Sequence, residues 1–433
     1  METDRGDGLE IRLGDVVFSV SAAFDLMCPA VANHHLRVTR IARALARTLN
    51  LPPAEQTDLL LAAALHDAGA FSLRERLEIM RFEVQNPHEH AEASYRLLRA
   101  FPRFEGAAEI VRYHHLPWDN RGGESFRGRP VPLGSHLLHL ADRVSVLPID
   151  WSRDAGLGRD DLRGVTEGSG ARFVPEFVEA LLETAGRAGF ARQVGAWSDQ
   201  DLREEPLLGT VPLSEADFRS LAKLFWQLVD FRSRFTATHT SGVAAVAAFL
   251  APLAGLGGAP ARKVAIAAGL HDLGKLAVPS ETLEKERPLN PAERVALREH
   301  PLHGWKILGR VRGMEEINTW ASYHHERLDG SGYPFHVPGR MIPRESRIVA
   351  VADVFTALTE ERPYRRGMSP REAVGILRGM ADGGEMDADI VGTMVANREQ
   401  AAEVRHRAQE AAADRYRAFL ELAANARPQP TAA

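Results

Sequence analysis

One stretch decides the fold of this chain: Val264-Ala265-Ile266-Ala267-Ala268-Gly269-Leu270-His271-Asp272. Its uncharged residues make about two turns of a buried helix, and the run then ends in an imidazole and a carboxylate. The same order occurs earlier, where an apolar run over residues 59–65 leads into His66-Asp67. Because the chain has no other His-Asp dipeptide, the two runs indicate an internal repeat.

The spacing of histidines around these runs follows the same repeat. In each half, a histidine lies thirty-two residues before the His-Asp pair, and another lies twenty-four residues before two adjacent histidines. These histidines are His34, His90, His114 and His115 in the first half, and His239, His300, His324 and His325 in the second. Beyond each adjacent pair, a helical run ends in Ala-Asp, at Asp142 and at Asp353. Two homologous helical domains account for this register.

The predicted fold class is all-α, because apolar residues recur at helical spacing and clear alternating strand patterns are absent. The predicted divisions are a first domain at 20–190, a polar linker at 191–212, a second domain at 213–400 and a helical tail at 401–433. Ser214, followed by acidic residues, is expected to open the first helix of the second domain. A short hairpin is expected from residues 11–13 and 16–18. The tail is either a solvated helix or a helix for dimerisation or signalling.

Bulk composition is that of an ordinary globular protein. The chain has 433 residues, of which 45% are hydrophobic, and a formal net charge of −5. This length exceeds one ordinary core, and the charge gives no case for a nucleic-acid polymer or a membrane as partner. The start lacks the pattern of a signal peptide, and the single Cys28 excludes an intrachain disulfide framework. We therefore expect a cytoplasmic protein.

The second domain carries nitrogen and oxygen ligands that suit divalent metal ions. The set consists of His239, His271, Asp272, His300, His324, His325 and Asp353. Imidazoles and carboxylates bind iron, manganese, zinc or nickel, and adjacent histidines suit two ions better than one. Asp272 is the natural bridge, because a carboxylate can share its two oxygens between cations. Two ions roughly 3.5–4 Å apart stabilise both the entering and the leaving oxygen of a phosphoryl displacement.

Further motifs surround this set. They are His271-Asp272-Leu273-Gly274-Lys275, His300-Pro301-Leu302-His303-Gly304, the segment His324-His325-Glu326-Arg327-Leu328-Asp329-Gly330-Ser331-Gly332-Tyr333-Pro334, and Arg362-Pro363-Tyr364-Arg365. With these motifs the second domain resembles an HD-GYP domain, the branch of the HD metal-dependent phosphohydrolase superfamily that hydrolyses cyclic dinucleotides.

This resemblance implies HD-type helical bundles and two divalent metal ions, iron or manganese, held by the seven ligands. It implies that Asp272 and Lys275 act in catalysis. It also implies that Lys275, Arg362 and Arg365 face the substrate phosphates, and that Tyr333 shapes the nucleotide pocket. Phosphate anions independently call for arginine forks and lysine point charges.

Two positions refine these expectations. Some members of the family hold a third metal with a glutamate one helical turn before the first histidine, but this chain has Phe235 there, so two ions are expected. His303 also lies near the site in sequence. The family pattern His-Pro-x-x-Gly selects His300, so His303 is interpreted as a neighbour and not as a ligand.

The first domain retains a ligand type at every metal position: His34, His66, Asp67, His90, His114, His115 and Asp142. It lacks the residues that the resemblance assigns to the substrate, since Ala70 replaces the lysine and nothing after Asp142 matches Arg-Pro-Tyr-Arg. We expect a second metal site here with little or no catalysis, in a domain for regulation or dimerisation. A second active site and an HD fold with unused metal positions remain alternatives.

The leading hypothesis for function is a metal-dependent phosphodiesterase that opens cyclic di-GMP to pGpG and/or GMP. One alternative keeps the site and changes the substrate to 3′,3′-cyclic GMP-AMP. Another is a non-catalytic receptor for a cyclic nucleotide. The expected partner is a cyclic dinucleotide, with a homodimer as an open option.

Overall fold

The computed structural model describes residues 11–26, 32–82, 87–196, 205–208, 211–232, 238–285, 287–361 and 366–424. Over these residues the structure is helical apart from loops and one hairpin of two-residue strands, so the predicted all-α class is confirmed. Contacts between Cα atoms group the chain into two compact units. The N-terminal unit holds Arg12–Val211 and the chain from Phe419 onward, and the C-terminal unit holds Pro212–Ala418 and the residues up to Ile11.

The N-terminal unit contains helices α1 to α10. They are α1 Leu13–Asp25, α2 His34–Thr48, α3 Pro53–Leu65, α4 Leu73–Ile79, α5 Pro87–Leu98, α6 Glu105–Arg112, α7 Leu133–Ser145, α8 Arg163–Thr166, α9 Pro175–Ala185 and α10 Phe190–Gly195. The strands β1 Ser125–Phe126 and β2 Arg129–Pro130 pair antiparallel between α6 and α7. Helix α2 packs against α3 and α7, and α3 packs against α6, so these four helices form the centre of the unit.

The C-terminal unit contains helices α11 to α20 and most of α21. They are α11 Glu215–Asp230, α12 His239–Leu253, α13 Gly258–Leu270, α14 Ser280–Leu283, α15 Pro291–Arg298, α16 His300–Leu308, α17 Glu315–Ser322, α18 Arg344–Thr359, α19 Pro370–Asp382, α20 Ala388–Ala396 and α21 Arg398–Ala424. Helix α12 packs against α13 and α18, and α13 packs against α17. The central four-helix arrangement of the first unit is therefore repeated.

Local sequence explains where these helices begin and end. Helix α3 is buried throughout its last two turns, and α13 is buried there except at the half-buried Ala265, as expected of runs without polar residues. Both helices end directly before the His-Asp pair. Ser214 begins α11 as predicted. Its hydroxyl accepts a hydrogen bond from the amide of Asp217, whose carboxylate accepts one from the amide of Ser214, which completes a capping box.

The hairpin expected near the N terminus is wrong. Residues 13–25 form the single helix α1, and every residue of this helix is buried. Val16, Val17 and Val20 have the β-branched side chains that favour strands, but local propensity is weak and packing overrides it. Helix α1 packs against α2 and α3. Its start at Leu13 also lies before residue 20, where the sequence places the beginning of the first domain.

The predicted linker and tail are both partly packed. Within the described part of the linker, Glu205 is buried and forms an ion pair with Arg43, and the carbonyl of Leu208 accepts a hydrogen bond from the amide of Gly14 over 3.2 Å. In α21, Gln409 is buried against the C-terminal unit. Both interpretations of the tail stay predictions.

Among the described residues, no helix combines the length and the apolar composition needed to span a bilayer. The cytoplasmic location expected from the sequence stays a prediction.

Close backbone contact at Gly274 gives the first testable prediction. A Cβ atom at this position would overlap the carbonyl of His300 and lie 2.5 Å from the amide nitrogen of Gly304. We expect Gly274→Ala to destabilise the C-terminal unit by about 1–3 kcal/mol, because backbone atoms must move. Thermal unfolding measures the effect. Gly375→Ala is the control, since this helical glycine has open space around its Cα and should gain about 0.5–1 kcal/mol. Equal behaviour of the two variants would contradict the packing argument.

Candidate metal centres

One hydrogen bond orients the histidines at the helix ends of the C-terminal unit. Their Nδ1–H groups donate over 2.6–2.7 Å in three pairs: His271 to the carbonyl of Ala268, His300 to that of Leu297, and His324 to that of Ala321. Each acceptor lies three residues earlier, in the last turn of a helix, where carbonyls lack an intrahelical donor. Since a carbonyl oxygen only accepts, Nδ1 carries a proton, and each ring in its neutral form presents its lone pair at Nε2.

These lone pairs converge on one another and on Asp272. His300 Nε2 lies 3.1 Å from His324 Nε2, a distance at which two lone pairs repel and a shared cation removes the repulsion. Asp272 Oδ1 lies 3.2 Å from His300 Nε2, while Asp272 Oδ2 lies 3.3 Å from His271 Nε2. The two carboxylate oxygens thus face different imidazoles, which is the arrangement expected of a bridging ligand.

The other predicted ligands complete two groups around this carboxylate. One group is His300, His324 and His325, and the other is His239, His271 and Asp353. Within each group the ligand atoms lie within 4.8 Å of one another. The structure therefore brings together all seven residues that the resemblance assigns to metal in the second domain. The donor set and the converging lone pairs fit divalent ions, and ligation itself stays a prediction.

Electrostatics in this cluster favour an added cation. Burial lowers the pKa of His324 well below its usual value and that of His325 to about 3, so both rings stay neutral at pH 7 and can act as ligands. At His239 burial acts in the same direction, but Glu360 and Asp353 outweigh it and raise the pKa to about 10. The cluster thus draws positive charge towards its carboxylates.

Contacts behind the cluster hold His239 in place. Its Nδ1–H donates to Glu360 Oε2 over 3.0 Å, and its Nε2 lies 3.2 Å from Asp353 Oδ1. Gln409 of α21 donates to the same Glu360 oxygen over 3.1 Å. Carboxylates that accept from a ligating imidazole fix its orientation and raise its basicity. Sequence reasoning missed both Glu360 and Gln409, because neither belongs to a recognisable motif.

Lys275 is the described cation nearest to the predicted bridge. Its Nζ lies 2.6 Å from Asp272 Oδ2, and the side chain is 16% exposed, so it can be reached from solvent. Arg362 and Arg365, which are also expected to face phosphate, lie outside the described residues. Phe235, on which the choice of two ions over three depends, lies outside them as well.

A buried carboxylate anchors the loop that carries Tyr333. Glu326 Oε1 accepts from the amide of Phe335 over 2.8 Å, and Glu326 Oε2 accepts from the amide of Val337 over 3.0 Å. Tyr333 stacks on His325, with ring centroids 4.7 Å apart. The exposed Arg298 lies over the tyrosine ring, with its guanidinium carbon 4.3 Å from the centroid. Glu326 and Arg298 have no role in the sequence-based expectations, although Glu326 directly follows the paired histidines.

The N-terminal unit repeats the orienting hydrogen bonds. His66 Nδ1–H donates to the carbonyl of Ala63 over 2.9 Å, and His114 Nδ1–H donates to that of Val111 over 2.6 Å. His34 also donates from Nδ1–H, but its acceptor is a hydroxyl and not a carbonyl. The Ser145 hydroxyl donates to a backbone carbonyl and therefore accepts from His34 Nδ1–H over 2.9 Å.

The predicted ligands of the first domain also come together. His34 Nε2 lies 3.3 Å from His66 Nε2, and His90 Nε2 lies 3.0 Å from His115 Nε2. Ligand atoms form one group of Asp67, His90, His114 and His115 and another of His34, His66 and Asp142. Burial lowers the pKa of His114 and His115 well below the usual value and that of His90 to about 4, so these rings are neutral.

Buried polar atoms without hydrogen-bond partners indicate that the cluster of the first domain is suited to a metal ion. Four buried polar atoms of this cluster each have no hydrogen-bond partner among the described residues: His35 Nε2, Asp67 Oδ1, His114 Nε2 and Asp142 Oδ1. A buried polar group left unpaired costs about 1–3 kcal/mol, so such atoms call for an ion or water. Metal binding by the first domain stays a prediction, beside the alternative of unused metal positions.

Two cations and one imidazole in this unit escape sequence reasoning. Arg143 is 1% exposed, and its Nη2 lies 2.6 Å from Asp142 Oδ2. Arg76 is 2% exposed and attracted by the charge of Asp67. His35 lies with its Nε2 3.9 Å from Asp67 Oδ2. The dipeptide His34-His35 is the signal that could have identified the imidazole, since paired histidines mark the site elsewhere in both repeats.

His303 lies on α16 with its Nε2 3.9 Å from Glu299 and belongs to neither ligand group given above for the C-terminal unit. Its assignment as a neighbour is consistent with this position and stays a prediction.

Comparison with known families matches both halves of the chain. A family model described as an HD domain matches residues 31–147, and another with the same description matches residues 223–390. Each match contains the corresponding ligand cluster. Tandem HD domains therefore agree with the internal repeat.

Similar proteins differ in how much of the chain they cover. The 3′3′-cGAMP-specific phosphodiesterase 1 of Vibrio cholerae is 29% identical over 406 residues, which are 90% of this chain and 93% of that protein. The cyclic di-GMP phosphodiesterase response regulator RpfG of Xanthomonas campestris is 35% identical over 176 residues, 40% of this chain and 47% of that protein. A crystal structure of a cyclic GMP-AMP specific phosphodiesterase of Vibrio cholerae shares the fold, with a TM-score of 0.61, 23% identity, and coverage of 89% of this chain and 97% of that one.

Glu326 gives a prediction about the loop alone. In Glu326→Gln, one of the two side-chain oxygens that accept from backbone amides is replaced by an NH₂ group, which donates. A hydrogen bond to a charged group contributes about 1.5–3 kcal/mol. We expect amide hydrogen exchange of the segment with Phe335 and Val337 to accelerate about 10- to 100-fold, with metal content unchanged. Asp329→Asn, in the exposed turn of the same loop, is the control and should leave both amides protected. Unchanged exchange in the Glu326 variant would refute its anchoring role.

Proposed function

This chain belongs to the HD superfamily, as a phosphoric diester hydrolase with two HD domains in tandem, and we propose that its C-terminal domain prefers 3′,3′-cyclic GMP-AMP as substrate. The choice between the two substrates rests on how much of this chain each relative covers. The cyclic GMP-AMP-specific relative is similar across both domains, whereas the cyclic di-GMP phosphodiesterase named above is similar over only 40% of the chain. Cyclic di-GMP, the first choice from the sequence, is the second candidate, because the identity within that shorter stretch is higher.

The seven clustered residues of the C-terminal domain would hold two metal ions, with Asp272 between them. When bound, such a pair supplies a nucleophile at neutral pH and stabilises the entering and leaving oxygens. Iron or manganese is the proposed metal, supported by a set of five imidazoles and two carboxylates. The neutral His324 and His325 rings support this role, because a ligand must offer a lone pair.

The reaction adds water across one phosphodiester of the ring. A bond forms between the water oxygen and phosphorus, the bond from phosphorus to the 3′ oxygen breaks, and that oxygen takes up a proton. The product is a linear dinucleotide with a terminal 5′ phosphate. Lys275 is proposed to stabilise the negative charge that develops on the phosphoryl oxygens, since its ammonium lies 2.6 Å from the predicted bridge and remains accessible.

Three further residues shape the approach to the site. The Tyr333 ring stacks on the His325 ring, and Glu326 anchors the loop of which Tyr333 is part. Arg298 is exposed over the Tyr333 ring and is proposed to contact a substrate phosphate, since guanidinium groups bind phosphate through paired donors. Arg362 and Arg365 stay proposed phosphate contacts on the basis of the motif alone.

The first domain is proposed to bind metal without hydrolysing the substrate. Its ligands are gathered like those of the second domain, but Ala70 is buried where the second domain has Lys275. Both of its cations near the cluster, Arg76 and Arg143, are buried as well. Roles in regulation or in a homodimer remain proposals for this domain.

Lys275→Ala tests the proposal with both nucleotides in parallel. Wild-type protein loaded with manganese should hydrolyse 3′,3′-cyclic GMP-AMP with a higher kcat/KM than cyclic di-GMP. The variant should lose about 10²- to 10³-fold in kcat on either substrate while keeping its metal, because a stabilising charge is removed from the transition state. Lys263→Ala is the matched control, since that lysine forms a surface ion pair with Glu316 in the same domain. Binding of both nucleotides without turnover would favour the receptor alternative.

A further inference from the structure

One residue pair distinguishes the two metal clusters beyond the substrate residues. Up to the His-Asp pair, the repeats are related by a shift of 205 residues, which aligns His34 with His239 and Asp67 with Asp272. The same shift aligns Asp25 with Asp230 and His35 with Thr240. Both pairs make an equivalent contact. His35 Nδ1 lies 2.7 Å from Asp25 Oδ1, and the Thr240 hydroxyl donates to Asp230 Oδ1.

The side chains at this position differ in how far they reach. A threonine hydroxyl ends at the aspartate, whereas an imidazole has a second nitrogen on its far side. That nitrogen, His35 Nε2, lies 3.9 Å from Asp67 Oδ2, and the ring centroid is 5.0 Å from that of His66. His35 is 1% exposed, and no described residue forms a hydrogen bond with its Nε2. His35, His66 and Asp67 place ligand atoms within 4.8 Å of one another.

A carboxylate behind an imidazole is the usual support of a metal ligand. It accepts a hydrogen bond from the N–H of one ring nitrogen and so directs the lone pair of the other nitrogen towards the ion. Asp25 has this position behind His35, because its Oδ1 accepts from Nδ1–H and leaves Nε2 as the acceptor. We propose that His35 is an additional metal ligand of the first domain, at a position where the second domain has a threonine and no ligand.

The extra ligand would close the metal centre of the first domain. Structural metal sites are filled by protein ligands, whereas catalytic sites keep a position for water or substrate. Arg143 strengthens the contrast, because its guanidinium already binds Asp142 Oδ2, while Oδ1 of the same carboxylate lies 3.4 Å from His34 Nε2. A coordination shell completed by His35, next to a buried guanidinium, fits an ion that stabilises the domain. This inference rests on the proposed metal binding of the first domain and adds a ligand to it.

The test exchanges the distinguishing residue in the full-length protein. Wild type and His35→Thr are loaded with manganese, and the release of metal to excess chelator is followed by element analysis and by thermal unfolding. In wild type we expect one slowly released fraction, whose removal lowers the unfolding temperature. In His35→Thr we expect that fraction to leave about 10- to 100-fold faster and its effect on unfolding to shrink accordingly.

Two further variants keep the outcome decisive. Asp25→Asn preserves volume and removes the supporting charge, and it should accelerate release in the same direction. His136→Thr is the matched control, since this buried histidine bonds to the carbonyl of Gly123 and lies outside the cluster. Unchanged release in both His35→Thr and Asp25→Asn, or equal acceleration in His136→Thr, would overturn the proposal. Nucleotide hydrolysis by the same samples reports on the second domain separately. If the wild-type protein hydrolysed neither nucleotide, the proposed function would be contradicted, whereas the metal-release result would still test the role of His35.

Discussion

The structure depends on the hydrogen bond from a histidine Nδ1–H to the carbonyl three residues before it. At His271, His300 and His324 this bond satisfies a carbonyl that the end of a helix leaves without a donor. It also fixes the tautomer of the neutral ring, so that the lone pair on Nε2 points into the cluster. The end of the helix and the direction of the ligand are thus determined together. Apolar helices that end in His-Asp, and not merely the presence of histidines, build the site.

The predicted ligand set follows from the spacing, because both copies keep every ligand type in the same order. The shift between the copies is 205 residues up to the His-Asp pair and 210 or 211 residues beyond it. The helical class follows from the same runs. What escapes sequence reasoning depends on packing between distant segments. Helix α1 contains valines, whose β-branched side chains favour strands, but it is buried on all sides. Glu326 accepts hydrogen bonds from backbone amides nine and eleven residues further along the chain. Arg143 follows a predicted ligand directly, yet its burial against Asp142 cannot be inferred from its position.

The two clusters show how similar ligands can serve different chemistry. In the second domain, Lys275 is accessible beside Asp272, the predicted bridging ligand, and an anchored loop places Tyr333 against His325. In the first domain, Ala70 takes the position of the lysine, and the cations near the ligands are buried. A phosphate needs accessible positive charge as well as metal. The residues around the ligands therefore support the proposal that the second domain carries out the hydrolysis.

Matched substitutions of the two bridging aspartates test this division most directly. Asp272→Asn and Asp67→Asn are the same change at equivalent positions of the two repeats, measured as hydrolysis of 3′,3′-cyclic GMP-AMP and of cyclic di-GMP by the full-length protein. We expect the Asp272 variant to lose turnover of both nucleotides, and the Asp67 variant to retain turnover while losing metal from the first domain. Retained turnover in the Asp272 variant, or its complete loss in a folded Asp67 variant, would contradict the assignment of catalysis to the second domain.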